Sequence, residues 1–217
     1  SQEELRRAIY HGARESKEHL HLKDLLCRSM AADPLCSKPE VEKRFYSPVE
    51  IEKWRQPDVR ATIGGRHIAF EVQRSSTFID VITERWNFYT NAKIFLMWIL
   101  QRLNEEYQLF TVKDVLYGNN RNVYVVNEET LERSLAERKF ILACHYHEPD
   151  VTGGNVTPVW RSRFVSLDSL HFDAQRNRVY AFDAETEFAN ALAAPPPSLR
   201  LNGLDSLRDS FEEFWLN

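Results

Sequence analysis

The stretch "KIFLMWIL", residues 93–100, sets the first limit on how this chain folds. It is apolar in every position but its first and far too short to span a bilayer. A run with no polar face predicts a strand covered on both sides. Covering it takes helices above and below, so the expected fold is α/β or α+β, with a mixed central sheet flanked by helices. The preceding "FIDVITERWNFYTN" supports that layering. Its Phe78, Ile79, Ile82, Trp86 and Tyr89 fall on or near one stripe at helical spacing. Earlier still, "DVRATI" and "RHIAFEVQ" flank Gly64-Gly65, a strong hairpin signal.

The flanking segments read less sharply. Residues 4 to about 30 predict a helix that "ADP" ends, and "VEKRFYSPVEI" predicts a strand interrupted at Pro48. Beyond the buried strand, "NVYVV" and "KFILACHYH" predict strands around a short helix at 128–138. "RFVSLDSLHFD" and "RVYAFDAE" predict later strands. "APPPS" reads as a stiff linker and "LDSLRDSFEEFWL" as a terminal amphipathic helix. The expected organisation is a core over 1–120. Residues 121–217 form a β-rich elaboration of it or a small appended subdomain.

With 217 residues, 43% of them hydrophobic, the chain can build a real core. A net charge of −4 provides no global positive field for nucleic acid or membrane. A local basic groove remains open, because attraction depends on where charges sit. Three cysteines, Cys27, Cys36 and Cys144, cannot all pair. With no signal-like or membrane-length apolar run, they lead to the expectation of a reducing, cytoplasmic setting and no membrane partner.

The hairpin carries acids where a sheet does not ordinarily keep them. Glu71 and Gln73 lie two apart and share a face, while Val72 points to the other. A two-residue turn at Gly64-Gly65 pairs residues whose numbers sum to about 129, so Asp58 is expected opposite Glu71. Two carboxylates that close repel unless a cation sits between them. Oxygen ligands favour Mg²⁺ or Mn²⁺ over zinc, and the Val72 carbonyl offers a further oxygen. The Gln73 amide can hold a water or a phosphate oxygen. On the first predicted helix, Glu15, His19, Leu22 and Leu26 fall on one face at 100° per residue. That face delivers Glu15 and His19 to the carboxylates, with Lys23 on its margin.

These residues carry a resemblance. "PDV" with "FEVQ" looks like the core of the PD-(D/E)XK nuclease superfamily, with glutamine in the lysine slot. "ESKEHLHLKDLL", "RQPDV", "IAFEVQRSSTFIDVITERWNFY" and "IFLMWIL" together resemble the competence protein CoiA-like nuclease family. The resemblance spans roughly residues 10 to 100. It covers Glu15, His19, Lys23, Asp58, Glu71, Gln73, Ser75, Arg85 and Tyr89; the sequence reads "RQPDV" where that family more often has two arginines. It implies a restriction-endonuclease-like fold and a bacterial DNA-processing nuclease acting in uptake, recombination or defence. The implied metal ligands are Asp58, Glu71, the Val72 carbonyl and Glu15. His19 and Gln73 join the acids as catalytic residues, and Lys23, Ser75, Arg85 and Tyr89 as substrate contacts. The implied chemistry is phosphodiester hydrolysis assisted by Mg²⁺ or Mn²⁺.

Plainer readings stand beside these. Asp58 and Glu71 suit a solvated sheet edge, and Lys23 a solvated helix margin. Arg85 and Tyr89 suit a buried pair in which Arg85 bridges to a carboxylate. "CHYHEPD" lacks the paired spacing of a zinc site. Arg161 with Arg163, and Arg176 with Arg178, would each share a strand face and suit either a nucleic-acid groove or a solvated edge. The alternatives to an enzyme are a nucleic-acid-binding module that has lost turnover, and a protein-interaction domain. A partner protein or a second copy of the chain fits the last.

Overall fold

A computed structural model describes residues 16–49, 52–73, 79–106, 110–152 and 155–194. The hairpin forms as its turn residues require. Gly64 and Gly65 have φ of +55° and +79°, a left-handed pair that matches the twist of the flanking strands. It joins β4 (Val59–Ile63) to β5 (Arg66–Gln73). Val59 pairs with Phe70 and Ile63 with Arg66, the register that the two-residue turn predicts.

The apolar run becomes β6 (Phe95–Leu100), parallel to β5. Helix α2 (Ile79–Asn91) makes the crossover between them. A second crossover, through α3 (Phe110–Gly118), leads to β7 (Asn122–Val125), parallel to β6. Helix α4 (Glu128–Glu137) then precedes the antiparallel pair β8 (Ile141–Thr152) and β9 (Asn155–Ser166). With the short β1 (Glu40–Val41), these strands make one seven-stranded mixed sheet in the order β1-β4-β5-β6-β7-β8-β9.

Both faces of β6 are covered. Met97 and Ile99 join Phe70, Val72, Tyr124 and Leu142 in a core roofed by α1 (Lys17–Ala31) through Leu22, Leu25, Leu26 and Met30. Leu96, Trp98 and Leu100 join a second core, with Phe88 and Tyr89 of α2 and Val115 and Leu116 of α3. The architecture is therefore α+β, a mixed sheet between helices.

Three local expectations are corrected. Helix α1 begins at Lys17, because Ser16 is extended (φ −76°, ψ 155°) and its hydroxyl accepts from the His19 N–H. The predicted helix is therefore interrupted at Ser16, and its part before that residue lies outside the described residues. The predicted strand at 41–51 is broken at Glu42, whose φ is +50°. Its second part, β2 (Phe45–Tyr46), pairs instead with β3 (Trp54–Arg55). "RVYAFDAE" stops being strand after β11 (Arg178–Tyr180), which pairs with β10 (His171–Asp173). Asp183 there caps α5 (Ala184–Ala193) by accepting from the Thr186 N–H. "LDSLRDSFEEFWL" and most of "APPPS" lie outside the described residues. No helix among the described residues is long and apolar enough to cross a membrane.

Candidate active site

Pro57 precedes β4 and has no N–H with which to continue its ladder toward β5. Asp58 takes over at that point, and its Oδ2 accepts the Val72 N–H at 2.7 Å. The two backbone groups of a strand residue face the same neighbour, so the Val72 carbonyl turns toward the side that holds Asp58. Asp58 Oδ1 meets His19 Nε2 of α1 at 2.9 Å, and Lys23 Nζ, one turn further along α1, lies 4.0 Å from the same oxygen. Burial pushes the Asp58 carboxyl up. The His19 bond and the Val72 N–H outweigh that effect and hold it below the usual range.

Glu71 is one step further along the ladder, at the carboxyl end of a parallel strand, where ligands of open α/β sheets collect. It shares a face with Gln73 and with its β6 partner Trp98, all beneath α2. From α2, Arg85 binds Glu71 Oε2 and the Tyr89 hydroxyl donates to Oε1 at 3.1 Å. The guanidinium of Arg85 also lies 5.7 Å from the centre of the Trp98 ring. At 2% exposure the Glu71 carboxyl is pushed up to about 7 by burial. Arg85 draws it down, and the Asp58 charge raises it again. The two acids are therefore electrically coupled, although their nearest protein partners come from opposite sides of the sheet. The Tyr89 hydroxyl, buried beside Glu71, is held far above its usual range.

The structure brings His19, Lys23, Asp58, Glu71, Val72, Gln73, Arg85 and Tyr89 to one end of the β4–β5 hairpin. Lys23 is 3% exposed and bonds Glu42 Oε1 at 2.6 Å, so it is not on a solvated margin. Gln73 is buried at the strand end. Arg85 and Tyr89 both grip Glu71, the bridging arrangement that the i, i+4 spacing allows. Glu15 and Ser75 lie outside the described residues. Glu42 and Trp98 belong to the site without having been singled out. Trp98 is visible only once the parallel register with β5 is known, and nothing in the sequence around Glu42 connects it to Lys23. The two arginine pairs of the later strands are engaged elsewhere. Arg161 meets Glu148, Arg163 the Ala181 carbonyl, and Arg176 and Arg178 both meet Glu185.

The donor set suits a hard divalent cation. Asp58 and Glu71 bring carboxylate oxygens, each with lone pairs beyond those already engaged, and the Val72 carbonyl faces the strand edge that holds Asp58. Mg²⁺ asks for one or two carboxylates and keeps several waters. No group of three or more His, Cys, Asp or Glu stands ready to hold a metal among the described residues. The protein's share of such a sphere would therefore be these two acids and the carbonyl.

A family profile described as "Domain of unknown function (DUF6035)" matches residues 2–185. Neither the curated proteins nor the solved structures include a match to the chain.

Proposed function

The chain belongs to the DUF6035 family, and we propose that it is a metal-dependent nuclease that hydrolyses DNA phosphodiester bonds on a PD-(D/E)XK-like core. The observation that carries this reading is a single one. A buried Glu71 and an Asp58 whose side chain is only 19% exposed hold coupled carboxylates at the end of one hairpin, with the Val72 backbone between them. An acid poised near neutrality by burial is characteristic of functional sites, and an added cation offsets both the burial and the repulsion.

Asp58 and Glu71, with the Val72 carbonyl, would hold the ion. When bound, Mg²⁺ lowers the pKa of a coordinated water and neutralises charge that develops on the phosphate. Arg85 and Tyr89 keep Glu71 in one rotamer, so that its position does not depend on the ligand. His19 orients Asp58 from the other side. Lys23, so close to Asp58, contributes positive charge that Gln73 cannot. Gln73 offers its amide to the water or to a phosphate oxygen.

The test is cleavage of single- and double-stranded DNA in Mg²⁺, Mn²⁺ and EDTA. Asp58→Asn and Glu71→Gln are expected to lose at least a hundredfold in Mg²⁺-dependent rate while retaining a cooperative unfolding transition. Wild-type cleavage by either variant refutes the site. A second reading rests on the double engagement of Glu71 by Arg85 and Tyr89. A carboxylate so fully held suits a module that binds nucleic acid and no longer cuts it. DNA retained without cleavage in every metal identifies that case.

A further inference from the structure

A cleft of about 520 Å³ opens on the α2 side of the sheet, next to the candidate site. Trp86 of α2 and Trp98 of β6 line it, with Asp114 of α3 and the 175–178 turn between β10 and β11. Trp98 is the ladder partner of Glu71, so the cleft begins one strand over, about 4.8 Å away. Arg85 touches both features, bonded to Glu71 and stacked over the Trp98 ring.

The chemistry of the lining selects the occupant. Trp86 is 38% exposed, large for an indole on a helix that packs against a sheet. Aromatic faces in a cleft take planar rings. The two arginines of the turn, Arg176 and Arg178, are bound to Glu185, and Asp114 adds a negative charge. Arg176 and Arg178 are thus balanced by Glu185 and Asp114 together, and an anion gains no net attraction from that rim. The Asp114 carboxylate forms no hydrogen bond among the described residues, and a carboxylate accepts from an N–H donor. Planar, uncharged and carrying amine hydrogens: that describes a nucleobase, and bases in a duplex do not expose a face for stacking.

We infer that this cleft binds an unpaired base bearing an exocyclic amine, stacked on Trp86 and bonded to Asp114, so that the preferred substrate is single-stranded. The inference rests on the nuclease reading for the word substrate alone; the binding stands or falls by itself. Cytosine and uracil separate the two contacts, since they stack alike while cytosine offers an N4 amine where uracil offers an oxygen.

The full chain, in EDTA, is titrated with ten-nucleotide dC and dU strands and followed by tryptophan fluorescence and by anisotropy of an end label. The dC strand is expected to bind more tightly than dU. Trp86→Ala weakens dC binding about tenfold, the worth of one stacked base. Asp114→Ala brings dC down to the affinity of dU and leaves dU unchanged. Both side chains are solvent-accessible, and unchanged unfolding midpoints verify that the variants are folded. Equal binding of dC and dU by the wild type, or a Trp86→Ala variant within twofold of wild type, overturns the inference, as does the absence of any strand binding. Cleavage is not read in EDTA. A chain that binds dC through Trp86 but never cuts in Mg²⁺ therefore rejects the nuclease reading and keeps the cleft. One that cuts with Trp86 and Asp114 both dispensable does the reverse.

Discussion

Glu71 is the residue on which most of the chemistry converges, and its environment can be titrated. Burial raises its carboxyl to about 7 in the fold, against 4.5 when unfolded. The folded state therefore binds the proton more tightly. That contribution to stability is full below 4.5 and is lost as pH rises to about 7. The change is on the order of 3 kcal/mol. Asp58 has the opposite sign, since its carboxyl is held low, and its contribution disappears only as pH falls below the usual aspartate range. Urea unfolding in EDTA between pH 4.5 and 7 is thus expected to show declining stability in the wild type and a flatter profile in Glu71→Gln. Equal slopes in the two proteins would contradict the burial of this carboxyl. The candidacy of Asp58, Glu71 and Gln73 was visible in the sequence, because period-two alternation and a short turn place them by counting. The grip of Arg85 and Tyr89 on Glu71 was only one of two readings, since a helical spacing says which residues share a face and not what that face meets.

Among the elements, the β4–β5 hairpin sets the site, and its turn sets the hairpin. Gly65 has a φ of +79°, with nothing within 4 Å of where a Cβ would stand. Gly65→Ala therefore meets backbone strain and no clash, at a cost of about 1 kcal/mol. Gly65→Asn recovers part of it, because asparagine tolerates the left-handed region. Denaturation midpoints of the two variants check this, and an alanine variant as stable as wild type argues against the turn geometry. Where sequence reading failed on elements, the cause was local and specific. Ser16 and Asp183 cap helices, one where a single long helix was expected and the other where a strand was. Both are standard capping residues, but apolar periodicity nearby masked them.

In the molecule as a whole, a set of asparagines ties the later chain to the sheet. Asn122, fully buried on β7, donates to the carbonyls of Asn120 and Phe182 and accepts from the N–H groups of Ala181 and Phe182. Asn119 bonds both backbone groups of Val179. Asn177 accepts from the Leu96 N–H and donates to the Ile94 carbonyl. The 175–182 region, one wall of the cleft, ladders only with β10 and is fixed to the main sheet by these polar side chains. Asn122→Leu keeps the volume but leaves two part-buried N–H groups unmatched, costing about 2 kcal/mol. Faster amide exchange at Val179, Ala181 and Phe182 than elsewhere in the core is the expected signature. Protection unchanged across that segment would show that other contacts hold it.

By itself, the sequence determined the buried β6, the glycine turn, the register of the β4–β5 hairpin, and the layering of helices on a mixed sheet. Each follows from a period or a turn rule that acts over a few residues. Tertiary structure decided that Lys23 is buried against Glu42, that Trp98 stands beside Glu71, and that asparagines clamp a segment some 60 residues away. Those contacts join parts of the chain that no local period relates, and only the packing of two cores against one sheet brings them within reach.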